Sequence, residues 1–129
     1  MQRPLLTLAA VVECLTGVAL VTLPALTVSV LLGVQPGEDG LMIGRIAGVA
    51  LFALGVACWG ARAQVGGAAV NGTLDAMTLY NAGAGALLVA YFVAGKAGVI
   101  GLVVGILHLV LAAAFAISRR RSPLSAAAS

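Results

Sequence analysis

Residues Val99–Ser118 read VIGLVVGILHLVLAAAFAIS and run directly into Arg119, Arg120 and Arg121. An uncharged run of this length spans the roughly 30 Å hydrocarbon core of a bilayer when helical, at about 1.5 Å of rise per residue. The three arginines at its end mark a cytoplasmic flank. This stretch decides the fold class, because a helix so uniformly apolar has no place in a soluble domain of this size. Its one polar interruption is His108, the only histidine in the chain. An ionisable ring at that depth is costly, so it needs either a partner or a function.

The rest of the chain has the same character. Of its 129 residues, 62% are hydrophobic and 9% charged, against about 25% charged in soluble domains. Further apolar segments cover about 5–33, 41–61 and 74–94, before the last at 99–118. The expected fold is therefore an all-α membrane protein, with four transmembrane helices in an antiparallel up-down bundle. One domain covers 1–121, and a Ser/Ala-rich cytoplasmic tail, 122–129, is expected to be disordered. The first segment exceeds a span, and Pro24 predicts a kink or break inside it. Its remainder, with β-branched Thr27, Val28 and Val30, is expected to continue tilted or to lie in the interface. The loop Val34-Gln35-Pro36-Gly37-Glu38-Asp39-Gly40 is a turn, whose two acids suit the start of the next helix. Asp75 is expected in the first turn of the third helix for the same reason, after a linker at 63–72.

Arg3 followed by an apolar run resembles a signal peptide, but the run is too long and lacks a cleavage pattern, so a retained first helix is expected. Cys14 and Cys58 lie inside apolar segments as packing residues, in no metal-type spacing. Basic residues set the orientation. With both termini inside, Arg3, Arg62 and Arg119–Arg121 face the cytoplasm, and Lys96 and Arg45 lie toward the other side, five against two. An inner-membrane location with N- and C-termini cytoplasmic follows, and Asn71-Gly72-Thr73 is then on the wrong side for glycosylation. The net charge of +3 is a topology signal rather than a nucleic-acid footprint.

An internal repeat is a further expectation. Ile43–Arg62 aligns without gaps on Ile100–Arg119 at an offset of 57, matching Ile43, Gly44, Gly48, Leu54, Ala57 and Arg62. The preceding helices align at an offset of 68, pairing Glu13 with Asn81, Gly17 with Gly85, Leu20 with Leu88 and Val21 with Val89. The chain is then two hairpins of the same orientation, related by an axis along the membrane normal. Gly44 and Gly48, and again Gly101 and Gly105, are spaced for close helix packing in lipid.

Helix rise places Glu13, Asn81 and His108 about 12–16 Å from the cytoplasmic ends of their helices, near one level at mid-membrane. Gly101, Gly105, His108 and Ala112 share a stripe, so His108 is expected to face protein. The candidate ligand or proton site is Glu13 with His108 as its partner, Asn81 and Tyr80 orienting them, and Arg45 at the mouth of the bundle. The alternative is that the same groups only tie helices together, polar contacts in membranes contributing about 0.6–2 kcal/mol each. No cofactor is expected: a single histidine cannot supply both axial ligands of a haem within one chain, and there is no metal cluster, nucleophile–base pair or phosphate loop.

The stretches GRIAGVALFALGVACWGAR, LYNAG and GILHLVLA resemble small bacterial four-helix inner-membrane proteins of the DoxX-like kind, over about Leu15 to Ala116. That resemblance implies a four-helix membrane bundle and, in some relatives, redox or quinone-linked partners. LAAVVECLTG, with Glu13 near the middle of helix one, is similar to small multidrug resistance transporters. The chain departs from them in its longer first helix, its lack of the aromatics expected in helices two and three, and its one-sided charge bias. The function expected is a non-enzymatic membrane component, an accessory subunit or homo-oligomer whose partners are the lipid bilayer and other membrane chains. The alternative is a small proton-coupled transporter using Glu13 and His108.

Overall fold

The structure is a computed structural model and describes residues 2–64 and 67–121. It is all-helical, with five helices among the described residues: α1 Gln2–Thr22, α2 Pro24–Leu32, α3 Glu38–Ala61, α4 Ala68–Val93 and α5 Val99–Arg120. Four of them, α1, α3, α4 and α5, are long and apolar enough to cross a membrane. Their outward surface carries large apolar side chains, with Leu15 67%, Ile43 65% and Leu79 76% exposed. In water such a surface would drive aggregation; in hydrocarbon it costs nothing, so the chain reads as a multi-pass membrane protein. The tail from Ser122 lies outside the described residues.

Pro24 divides the long first segment. Leu23 leaves helical geometry (φ −131°, ψ 53°), and Pro24 starts α2 at the first helical position, where its missing N–H is no loss. Residues 24–32 are helical despite their β-branched content and end at Gly33, whose φ of 75° is left-handed. Glu38 and Asp39 occupy the first turn of α3. Helix α4 starts at Ala68, earlier than the segment expected at 74–94, because Val70 and Leu74 are both fully buried anchors. Asp75 is consequently not in the first turn. It pairs instead with Arg119 on α5, at 3.0 Å.

The helices meet through glycines. A methyl group on Gly17 would lie 2.6 Å from the Gly48 carbonyl oxygen and 2.7 Å from the Phe52 nitrogen, so α1 and α3 touch backbone to backbone. Gly44 lies against Leu20 and Pro24, and Gly55 against Cys14 and Ala10. Across α4 and α5, Gly85 meets Gly105 and Leu109, and Gly105 meets Leu88 and Val89. In lipid there is no hydrophobic drive between helices, and such close approach supplies the dispersion contacts that hold them.

The two hairpins join mainly at one end. There Leu6, Cys58, Val70, Leu74, Met77 and Phe115 form a buried core drawn from all four long helices. Gln2 Nε2 donates to the Ser118 carbonyl at 3.1 Å, tying the start of α1 to the end of α5. At the other end α2 crosses between the hairpins. The Gly98 N–H donates to the Leu32 carbonyl at 3.0 Å, and Gly101 packs under the Leu31 carbonyl.

Candidate functional site

Between these two closures the hairpins stand apart and flank a cavity of about 760 Å³ that is partly open along its side. Its walls are apolar for most of their length, from Leu20 on α1, Leu26 and Val30 on α2, Leu88 on α4, and Ile100 and Val104 on α5. Most polar groups gather toward the core-packed end, Glu13 and Thr16 from α1, Tyr80 from α4 and His108 from α5, with Thr27 of α2 at the other.

Helical period puts them there. On α1 the buried face runs Leu6, Ala9, Ala10, Glu13, Gly17, Leu20, so Glu13 belongs to the stripe that packs inward. On α4 it runs Val70, Leu74, Met77, Asn81, Gly85, with Asn81 in the same register. On α5 His108 falls between Gly105 and Ala112 on the buried stripe. Neighbouring glycines set the depth to which each polar group is drawn in: Gly17 is one turn from Glu13, Gly85 one turn from Asn81, and Gly105 three residues from His108.

Asn81 is fully buried, and its Nδ2 donates to the Met77 carbonyl at 2.8 Å. Its Oδ1 stands 2.8 Å from His108 Nδ1. The Tyr80 ring meets the His108 ring edge-on, centroids 5.6 Å apart. The Tyr80 side chain and the Glu13 carboxyl, which is 4% exposed, line the same cavity and interact there. The chain of contacts therefore runs Glu13, Tyr80, His108, Asn81.

This corrects the pairing expected from sequence. His108 takes Asn81 as its hydrogen-bond partner rather than Glu13. The reason is the spacing of the hairpins around the cavity: α1 has no close backbone approach to α4, and at the level of Glu13 it is the long Tyr80 side chain that reaches toward α1. Arg45, expected at the mouth, is exposed on the outer face of α3 and does not line the cavity. Gly44, Gly48, Gly101 and Gly105 are all buried against this same chain. Thr16 and the α2 wall escaped the sequence reading. Thr16 lies three residues from Glu13 on its helix, which is a signal available in the sequence, whereas the path of α2 depends on where its far end docks.

Among the described residues no group of three His, Cys, Asp or Glu converges to hold a metal. A shallower apolar groove of about 400 Å³ lies on the outer side of α1 and α3, between Val11, Cys14, Val56 and Trp59. It carries no ionisable group other than the Cys14 thiol. In comparisons with protein-family models, curated proteins and solved structures, nothing matches the chain.

Proposed function

We propose that the chain is an inner-membrane protein with four spans in an up-down arrangement and both termini cytoplasmic, which holds a lipophilic small molecule between two repeated hairpins. The observation that carries this reading is the cavity, apolar along its walls apart from Thr27, with its other polar groups gathered where Glu13, Thr16, Tyr80 and His108 meet. A largely apolar pocket with a few convergent polar groups is the usual form of a small-molecule site. The repeat is supported by the glycine contacts: Gly17 on Gly48 and Phe52 has its counterpart at the offsets of 68 and 57 in Gly85 on Gly105 and Leu109. Kinship with DoxX-like proteins is part of the proposal and rests on the quoted stretches alone.

The role is binding rather than catalysis. A purely structural subunit or homo-oligomer would use the small-residue faces between chains, and here those glycines are already engaged within the chain. The test compares organic extracts of the purified wild-type protein and the cavity-filling variant Ala84→Phe by mass spectrometry. A small molecule near one per chain in the wild type, and missing from the variant, is the expected result. Equal content in both, or a stoichiometric protein partner with no small molecule, overturns the reading.

A proton-coupled transporter is the second reading, and one observation favours it. The cavity is closed at its two ends by contacts of different kinds, a packed core at one and the short helix α2 at the other. Alternating access needs two such closures. In proteoliposomes with an imposed pH gradient, Glu13→Gln should then abolish uptake of the extracted molecule while leaving the fold unchanged. Equal uptake by both proteins removes this reading and leaves the first.

A further inference from the structure

The polar end of the cavity has a hydrogen-bonding sense that can be followed atom by atom. Asn81 is oriented first, because its Nδ2 donates to the Met77 carbonyl and leaves Oδ1 toward α5. An amide oxygen only accepts, so the His108 nitrogen 2.8 Å away, Nδ1, carries the hydrogen. In the neutral imidazole Nε2 is then a bare lone pair. Nε2 has no hydrogen-bond partner among the described residues, and its ring lines the cavity. On the opposite wall the Tyr80 hydroxyl and the Glu13 carboxyl interact with each other. Thr27, higher up, spends its hydroxyl on the Leu23 carbonyl at 2.9 Å. The Thr16 hydroxyl turns either way as donor or acceptor.

The one fixed and unspent valence at this end is therefore an acceptor, the Nε2 lone pair of His108. We infer that the cavity takes an amphiphile whose head group donates hydrogen bonds, an alcohol or an amide N–H, with its alkyl chain lying between the hairpins beneath α2. The inference rests on the cavity being a binding site. From His108 to Ile100 the wall of α5 is eight residues long, about 12 Å of helix rise lined by aliphatic side chains, which suits an alkyl tail. A head that only accepts, such as a ketone or a quinone carbonyl, leaves Nε2 buried and unpaired. Loss of one such hydrogen bond corresponds to about tenfold in affinity.

Three probes of one chain length separate the possibilities: 1-decanol, 2-decanone and decane, each titrated at matched mole fraction into the detergent-solubilised full-length protein at pH 8. Thermal unfolding is read for the wild type, Ala84→Phe and His108→Leu. In the wild type, decanol is expected to raise the midpoint at about one tenth of the ketone concentration, and decane to act no better than the ketone. Ala84→Phe should respond to none of them. His108→Leu, if it folds, should treat alcohol and ketone alike. Should the ketone match decanol in the wild type while Ala84→Phe abolishes both responses, the cavity stands and the donor preference fails. Shifts that persist in Ala84→Phe, or no shift with any probe, overturn the cavity reading itself. A folded His108→Leu that keeps the alcohol preference removes Nε2 from the recognition, and if that variant does not fold, the wild-type ratio decides.

Discussion

Hairpin α1/α3 and hairpin α4/α5 are built on matching contacts and differ in what those contacts hold. Gly48 packs on Leu20 and Val21, and Gly105 packs on Leu88 and Val89, each pair one offset apart in the proposed repeat. Away from the glycines the match ends. Glu13 faces the cavity where the second hairpin buries Asn81, and Leu51 stands where the second hairpin has His108. The first hairpin also carries an excess of eleven residues between its helices, the difference between the offsets of 68 and 57. That excess contains α2, which reaches across to the second hairpin through Leu32 and Gly98. Positions that bring backbones together leave little room for a side chain, while positions facing the cavity are free to diverge. Chemistry has collected at the divergent ones, giving an acidic wall opposite an imidazole wall.

The sharpest way to break this comparison is to load the glycines. A β-carbon at Gly48 would sit 2.7 Å from the Gly17 carbonyl oxygen, which is backbone and cannot yield without moving α1. At Gly105 the nearest atom is the Leu88 β-carbon at 3.0 Å, with the Gly85 oxygen at 3.3 Å. Gly48→Ala is expected to cost about 2–3 kcal/mol and Gly105→Ala about 1 kcal/mol, read from unfolding in detergent. The reverse order would mean that the first hairpin is not the tighter of the two.

Next in size is the polar difference. His108→Leu gives the second hairpin the residue of the first, but leaves Asn81 Oδ1 buried without its partner, a loss of about 1–3 kcal/mol. Replacing both Asn81 and His108 by Leu should lose less than the two single changes together. The coupling expected from such a cycle is about 0.6–2 kcal/mol. Additive effects would mean that the 2.8 Å contact contributes nothing to stability.

The four long apolar helices were legible in the sequence, and so was the similar height of Asn81 and His108 along theirs, because hydropathy and helix rise report position along a helix directly. Pro24 was legible as a break for the same local reason. The cavity was not, since it depends on how far apart two hairpins stand, and nothing within one helix encodes that distance. Helices apolar all round also offer little contrast between a face turned to lipid and one turned to a neighbour. Gly17, Gly55 and Gly85 acquire their meaning only from the backbone opposite. Asp75 shows the same limit: its sequence position suggests a helix start, whereas Arg119 on another helix claims its carboxylate.

A smaller effect is expected at Ser118, whose equivalent in the first hairpin is Ala61. Ser118 is 1% exposed and its Oγ has no hydrogen-bond partner among the described residues, while its carbonyl receives Gln2. Ser118→Ala keeps the carbonyl and removes a buried, unsatisfied hydroxyl. A gain of about 1 kcal/mol in unfolding free energy is expected. A clear loss would show that the hydroxyl is satisfied in the membrane.

The smallest difference lies at the ends of the hairpins. Arg119 pairs with Asp75, their side chains 32% and 59% exposed, whereas the equivalent Arg62 lies over the Trp59 ring 3.2 Å from its centroid. Thr7 stands where Asp75 does, so the first hairpin offers its arginine an aromatic face in place of an acid. An exposed ion pair is screened by salt and contributes about 0.5 kcal/mol or less. Asp75→Asn should therefore lower stability only slightly at low ionic strength and not at all in molar salt. Trp59→Leu removes ring packing as well as the cation–π contact, about 0.5–1 kcal/mol at an exposed site, and part of that loss should survive added salt. If both losses vanish in salt together, the two arginines are held in the same way, and the ends of the hairpins do not differ energetically.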